Sequence, residues 1–302
     1  MQNAIDLIRA MPGARRYEIG DILFTQFTCP SGDEPVGVWS QTDHLVHVLN
    51  ARATWTTLQG TWSAGAGETV FFRKGAFIMP PHFESDLCIM IFFIPDAFVR
   101  EVVGALAGQL TAASGPLDLR ELAIRVQHDV ALAAFLQSMV TYFAGEEQPP
   151  EELLKLKLRE LLTSILLGRS NPKLTAYLQS AARQDAPPIP AIMEANFRHN
   201  LPLEAFAQLS HRSLSTFKRE FRRHFGSTPG RWLLERRLEC AAHLLRTTGM
   251  SVTEIVFECG FEEPSHLSRA FRAKFGCSPS EFRGNHGAFS SASARRAVTR
   301  AG

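Results

Sequence analysis

Val252-Thr-Glu-Ile-Val-Phe-Glu-Cys-Gly-Phe-Glu-Glu-Pro-Ser-His-Leu-Ser-Arg-Ala-Phe-Arg-Ala-Lys-Phe-Gly-Cys-Ser-Pro279 restates a pattern that the chain has already used as Leu203-Glu-Ala-Phe-Ala-Gln-Leu-Ser-His-Arg-Ser-Leu-Ser-Thr-Phe-Lys-Arg-Glu-Phe-Arg-Arg-His-Phe-Gly-Ser-Thr-Pro229. Ser213-x-x-x-Phe217-x-Arg219-x-Phe221 overlies Glu263-x-x-x-Leu267-x-Arg269-x-Phe271, and both copies then reach Phe-Gly-x-x-Pro, at 225–229 and 275–279. Each copy predicts a short helix, a tight turn and a longer basic helix stopped by glycine and proline. Two helix-turn-helix units therefore stand about fifty residues apart, measured from Arg219 to Arg269. In the first long helix Phe217, Phe221 and Phe225 recur every four residues and pack inward, leaving Ser215, Thr216, Lys218, Arg219, Arg222 and Arg223 to point elsewhere. In the second, Leu267, Phe271 and Phe275 pack, and Ser265, His266, Arg269, Arg272 and Lys274 remain outward.

Small polar residues at a helix start, followed by arginine, suit a DNA major groove about 12 Å wide. Between the copies, Arg231 to Arg246 predicts an amphipathic helix with Trp232, Leu233, Leu238, Ala241, Ala242 and Leu245 on its buried side. One continuous helix there would hold two reading helices at a fixed separation. Successive major-groove faces lie about 34 Å apart, so one chain could read two turns of double-stranded DNA.

This segment resembles the DNA-binding domain of AraC/XylS-type bacterial transcription regulators. The second copy carries most of the likeness, in Ile255, Gly260-Phe261, Ser265, Phe271, Phe275-Gly276, Pro279 and Phe282-Arg283. The first copy departs at its turn, where Ser210-His211-Arg212 stands in place of an apolar residue and glycine. Histidine tolerates a left-handed backbone better than most residues, which keeps the assignment. Val256 stands where alanine is common and asks for more room between helices. The resemblance implies base contacts from Ser215, Lys218, Arg219, Ser265 and Arg269, with Thr216 and His266 beside them. Ser213, Arg222, Arg223, Ser268, Arg272 and Lys274 are then assigned to phosphates, which set register without reading sequence. It further implies a homodimer that activates transcription through contact with RNA polymerase.

Length and composition agree with two domains. The chain has 302 residues, 45% hydrophobic and 21% charged, as ordinary globular proteins do. Its net charge of +2 hides a split. Residues 1–188 hold 15 Lys+Arg against 20 Asp+Glu, whereas 189–286 hold 14 against 10. An acidic front and a basic back fit a regulatory part joined to a nucleic-acid part. Five scattered cysteines without a Cys-x-x-Cys pair read as thiols buried in apolar patterns of a reducing cytoplasm, not as a disulfide frame. Met1 to Ala10 contains Asp6 and lacks the long apolar core of a signal peptide, and the Ile89–Ile94 run is too short to cross a bilayer. A cytoplasmic protein with no membrane partner is expected.

From Tyr17 to Ile94 short apolar runs are broken by glycine and proline. Runs starting at Ile22, Leu45, Ala53, Thr69, Ala76 and Leu87 predict strands of a small β-barrel or sandwich. Gly65-x-Gly67-Glu68, then Pro80-Pro81-His82, is similar to the cupin-like barrel at the front of AraC-type regulators. A metal-dependent cupin enzyme fused to a DNA-binding module is the rival function, and it needs clustered histidines with a carboxylate. His44 and His47 are three apart, which sends them to opposite faces of a strand, and no His-x-His precedes His82 and Glu84. No metal, cofactor or catalytic residue is therefore assigned. Trp39, Trp55, Trp62, Phe72 and Phe77 either line a ligand cavity or, as such residues more often do, fill the core.

Helical spacing follows in Ala97–Leu110, Leu117–Ala144, Glu151–Leu167 and Asn171–Gln184. The stripe Leu154, Leu158, Leu161, Leu162, Ile165 and Leu166 is read as packing on its own chain, with pairing to a second copy as the alternative. Asp185-Ala-Pro-Pro-Ile-Pro190 is an extended linker, and Ile192 to His199 opens the next domain. The sequence thus predicts an α+β protein. Residues 1–184 form a cupin-like regulatory and dimerisation domain, 185–286 an all-α double helix-turn-helix domain, and 287–302 a disordered basic tail. The front domain would answer to a small-molecule effector or to a regulatory protein. Ser213 to Phe221 is similar to the family branch of type III secretion regulators, whose front domain answers to a protein anti-activator.

Overall fold

The computed structural model describes residues 1–29, 35–57, 60–80, 87–111, 121–183 and 186–286. They divide into two compact units, one of Met1–Asn196 with Glu204–Ser213, the other of Phe197–Leu203 with the chain from Leu214 onward. His82, Glu84, part of the 185–190 linker and the whole 287–302 tail, on which expectations were placed, lie outside the described residues.

The first unit is built on two sheets. In chain order its strands are β1 (Gln2–Asn3), β2 (Arg15–Ile19), β3 (Ile22–Thr28), β4 (Val36–Ser40), β5 (Asp43–Val48), β6 (Arg52–Thr57), β7 (Gly60–Gly65), β8 (Thr69–Phe72), β9 (Gly75–Met79), β10 (Cys88–Ile94) and β11 (Ala123–Val126). One sheet has the order β1-β4-β9-β6-β7, the other β11-β8-β5-β10-β3-β2. All pairings are antiparallel except β1 with β4. The expected barrel is a pair of facing sheets, and no described strand pairing closes one onto the other.

The central run Ile89-Met-Ile-Phe-Phe-Ile94 is apolar throughout because its sheet is covered on both sides. Ile89, Ile91 and Phe93 enter the core between the sheets, together with Val46, Phe72 and Phe77. Met90, Phe92 and Ile94 point the other way, toward helices. Those helices are α2 (Asp96–Ala105), α3 (Val130–Ala144), α4 (Glu151–Leu167) and α5 (Pro172–Ala182), while the short α1 (Ala4–Ala10) lies in the inter-sheet core. The whole Leu154-to-Leu166 stripe of α4 is buried in the helix-facing core, so it packs on its own chain.

The helix expected over 117–144 is interrupted among the described residues, where 121–129 are not helical. Ala123-Ile-Arg-Val126 alternates and pairs antiparallel with β8, and α3 starts only at Val130, where the Asp129 side chain accepts a hydrogen bond from Leu132 N at 2.9 Å. Apolar spacing cannot separate a four-residue strand from the helix that follows it.

Helices α6 (Ile189–Asn196) and α7 (Leu203–Leu209) complete the first unit. Asn196, fully buried, accepts from Ala76 N of β9 at 2.9 Å and donates to Ile192 O at 2.9 Å. A polar cluster lies nearby. Lys74 Nζ meets both oxygens of Asp96 at 2.6 Å, and His211 Nδ1 lies 3.4 Å from the same carboxylate. Asp43 accepts from Lys74 N at 2.7 Å and from the Tyr177 hydroxyl at 2.8 Å. Burial pushes the Asp43 carboxyl up, with Lys74 opposing. The second unit holds α8 (Leu214–Phe225), α9 (Pro229–Thr247), α10 (Val252–Glu258), α11 (Pro264–Phe275) and α12 (Pro279–His286).

Candidate nucleic-acid interface

The repeat in the sequence is a repeat in hydrogen bonds. After α7, His211 N donates to Gln208 O at 2.9 Å and Arg212 N to Ala207 O at 2.9 Å. After α10, Gly260 N donates to Phe257 O at 3.0 Å and Phe261 N to Val256 O at 2.9 Å. This double closure needs a left-handed residue at its centre. His211 supplies it with φ 53° and Gly260 with φ 80°. The unusual histidine in the first turn therefore keeps the backbone that glycine gives the second.

The long helices match as well. Phe217 and Phe221 of α8 are fully buried, as are Leu267 and Phe271 of α11. Phe221 stacks on Phe225 at 4.4 Å and meets Trp232 at 6.2 Å; Phe271 stands 4.4 Å from Phe275 and 5.2 Å from Phe282. Trp232 on α9 and Phe282 on α12 are thus equivalent wedges, fifty positions apart. Each helix ends at a left-handed glycine, Gly226 or Gly276. Pro229 and Pro279, read as stops, each open the next helix, where a missing N–H costs nothing.

With one face fixed inward, the predicted contact residues fall on the other. Ser215, Lys218 and Arg219 are exposed on α8, and Thr216 is half-buried. Ser265, His266 and Arg269 are exposed on α11. Among the phosphate candidates Ser213, Arg222, Arg223, Arg272 and Lys274 are exposed and Ser268 is half-buried. Lys218, Arg219, Arg222 and Arg223 together line a shallow surface groove. Among the described residues none of these four forms an ion pair. The cations of α11 differ. Arg272 pairs with Glu281 at 3.5 Å, and Lys274 pairs with Glu239 at 3.1 Å while donating to Glu235 O.

The scaffold beneath contains groups that periodicity did not reveal. Arg237 of α9 donates to Phe197 O at 2.7 Å and His199 O at 3.0 Å, clamping the Phe197–His199 segment. That segment lies against the second turn so closely that a Cβ on Gly260 would sit 2.3 Å from Arg198 O. His199 is buried, which lowers its imidazole to about 4, helped by the charges of Arg198 and Arg237. An arginine anchored on carbonyls looks in sequence like any solvated cation.

In the first unit His44 faces the inter-sheet core, stacked on Phe72 and Phe93 at 5.5 and 5.2 Å. His47 faces the other side, with Thr69 Oγ1 at 2.9 Å and His128 beyond it. The two imidazoles do not converge. Among the described residues no three His, Cys, Asp or Glu side chains gather as a metal site. No helix among those residues is long and apolar enough to cross a membrane.

Comparison with known proteins gives each half a relative. Residues 206–285 match the family described as a helix-turn-helix domain, and residues 43–177 match the ExsA N-terminal regulatory domain. The virulence regulon transcriptional activator VirF of Yersinia enterocolitica is 23% identical over 241 residues, 80% of this chain and 89% of its own. The HTH-type transcriptional regulator ExsA of Pseudomonas aeruginosa is 26% identical over 242 residues, 78% and 84% of the two chains. The transcriptional activator RhaS of Escherichia fergusonii is 43% identical over 135 residues, 44% and 48%. A regulatory domain of the ExsA kind in front of a duplicated helix-turn-helix is how AraC/XylS-type transcription regulators are laid out, and this chain belongs to that family of DNA-binding proteins.

Proposed function

We propose that the protein is a cytoplasmic, sequence-specific activator of transcription whose residues 185–286 bind DNA and whose residues 1–184 receive the controlling signal and dimerise. The observation that carries this reading is the matched pair α8 and α11. Each buries one apolar face and turns serine, lysine or histidine, and arginine outward. Helix α9, 19 residues without a break, spans about 28 Å at 1.5 Å per residue, close to one major-groove repeat. Arg219 and Arg269 read base edges, with Ser215, Thr216, Lys218, Ser265 and His266 beside them. Ser213, Arg222, Arg223, Ser268, Arg272 and Lys274 hold phosphates. VirF and RhaS are named as transcriptional activators, which supports activation here; contact with RNA polymerase is part of the proposal.

For the signal, a regulatory protein is favoured over a small effector inside the front domain. The apolar cavity between the sheets, lined by Phe27, Val38, His44, Trp55, Phe77 and Phe93 among others, holds about 130 Å³. Sites for small molecules and cofactors commonly enclose about 300–1,000 Å³. The likeness to the ExsA regulatory domain points the same way.

Selection of bound duplexes from a random library is the direct test. Enrichment of two short motifs about 10–10.5 base pairs apart is the expected result. Recovery of random sequence, or of one motif alone, overturns the two-groove reading. The enzyme alternative has no convergent metal ligands among the described residues, and a stoichiometric transition metal in the purified protein would revive it.

A further inference from the structure

The two reading helices begin differently. Ser213 stands before α8, and at the equivalent place before α11 stands Glu263, a carboxylate where the first copy has a hydroxyl. Local stability does not explain it. Serine, threonine, aspartate and asparagine are the residues that cap helix starts well. Ser251, Ser278 and Thr228 each accept a backbone N–H in this way at the helices they open. Glu263 is the N-cap of α11, yet its side chain makes no cap hydrogen bond. Its neighbour Glu262 is engaged by the Asn200 amide, whereas Glu263 is exposed and turned to the reading helix.

The hydrogen bonds around Glu263 fix which partners this helix start can take. The Ser265 hydroxyl donates to Glu263 Oε2 at 3.0 Å. With its proton committed, Ser265 Oγ offers lone pairs only. The other carboxylate oxygen, which has no partner among the described residues, offers more. One turn further on, Arg269 Nε donates to Ser265 O at 3.4 Å, which leaves the two terminal nitrogens of the guanidinium to donate outward. An acceptor group thus stands beside a donor group. In the major groove guanine presents N7 and O6 as acceptors, and cytosine presents its N4 amino group as a donor. We propose that Glu263, with Ser265 held against it, reads the amino group of a cytosine next to the guanine read by Arg269, and so determines specificity in the second half-site.

The gain is in discrimination and not in affinity. A carboxylate facing phosphates is repelled by every duplex, and only a base that donates to it offsets the repulsion. Guanine O6 and thymine O4 at that place would set acceptor against acceptor. Adenine also carries an amino group, but its N7 acceptor stands beside it and faces the carboxylate. A phosphate contact like the one assigned to Ser213 is closed to the second copy for the same electrostatic reason. This assignment rests on the DNA-binding function proposed above.

The test selects duplexes from a random library with the full-length protein and with its Arg269→Ala, Glu263→Ser and Glu263→Gln variants. The half-site that Arg269→Ala flattens belongs to α11. There the wild type should favour cytosine beside the guanine by about fivefold or more, the cost of one mismatched pair. Glu263→Ser, which gives the second copy the residue of the first, should lose that preference while the guanine stays selected. Glu263→Gln should move the preference to adenine, since an amide donates to N7 and accepts from N6 together. Both Glu263 variants should melt at the wild-type temperature, because the side chain is exposed and caps nothing. A cytosine preference that survives Glu263→Ser, or a wild type that selects no cytosine beside the guanine, overturns the assignment and leaves the DNA reading standing. A wild type that enriches no duplex at all sinks the DNA reading and this assignment with it.

Discussion

His211 and Gly260 hold the same left-handed backbone in the two turns, yet they should respond to mutation in opposite ways. At Gly260 an alanine meets both the left-handed penalty, about 1–2 kcal/mol, and the Arg198 carbonyl. Gly260→Ala should therefore cost more than about 2 kcal/mol in urea unfolding of the full chain. His211→Gly removes strain but gives up the approach to Asp96, and stability should move by less than about 1 kcal/mol. Equal losses at the two positions would show that the turns are not equivalent. Arg269 and Lys274 give the corresponding comparison at the interface. Arg269→Ala should flatten base preference at one position, by about 1–3 kcal/mol of discrimination. Lys274→Ala should weaken all duplexes alike, and indistinguishable footprints would remove the division between base and phosphate contacts.

Helices α8 and α11 are copies in packing but not in charge. The cations of α8 meet water, whereas Arg272 and Lys274 of α11 already hold Glu281 and Glu239. A phosphate that engages Arg222 or Arg223 displaces only counterions, but on α11 it must first displace a carboxylate. Replacing Arg222 and Arg223 together by alanine should reduce the slope of log affinity against log salt by about two units. The Arg272, Lys274 pair of substitutions should change it by clearly less. Titration of one duplex at several salt concentrations measures both, and equal slopes would mean that the ion pairs of α11 dissolve on binding at no cost.

For the whole molecule, three buried imidazoles set the pH range in which it stays folded. His44, His47 and His199 are each held to about 4 by burial, below the ordinary 6.5. Between those values the unfolded chain binds more protons than the folded one. The stability due to neutral histidine is thus fully present above about pH 6.5 and is lost as pH falls toward 4. At pH 5 each histidine should withdraw about 2 kcal/mol, a large share of a stability that is commonly about 5–15 kcal/mol. Asp43 works in the opposite sense, because its carboxyl is raised and the folded state gains from acid. Denaturation followed from pH 8 to pH 5 should show falling stability, and His44→Phe should make that fall shallower. A flat profile would mean that these rings are not neutral in the folded state.

The sequence by itself determined the parts whose information is local. A four-residue apolar period, glycine and proline at fixed offsets and a doubled motif were enough to define α8, α9 and α11 and their outward residues. The α4 stripe and the opposite facing of His44 and His47 were legible for the same reason, since helix and strand geometry alone dictate them. Strands such as Arg15–Ile19, Val36–Ser40 and Gly60–Gly65 were missed because edge and turn-flanked strands carry little apolar signal. Ala123–Val126 was missed because its partner β8 is more than fifty residues away. Only the tertiary structure aimed Arg237 at two carbonyls, paired Lys274 with Glu239 and grouped α6 and α7 with the first unit. Each is a meeting of residues from different elements, and one-dimensional spacing does not fix which element ends up beside which.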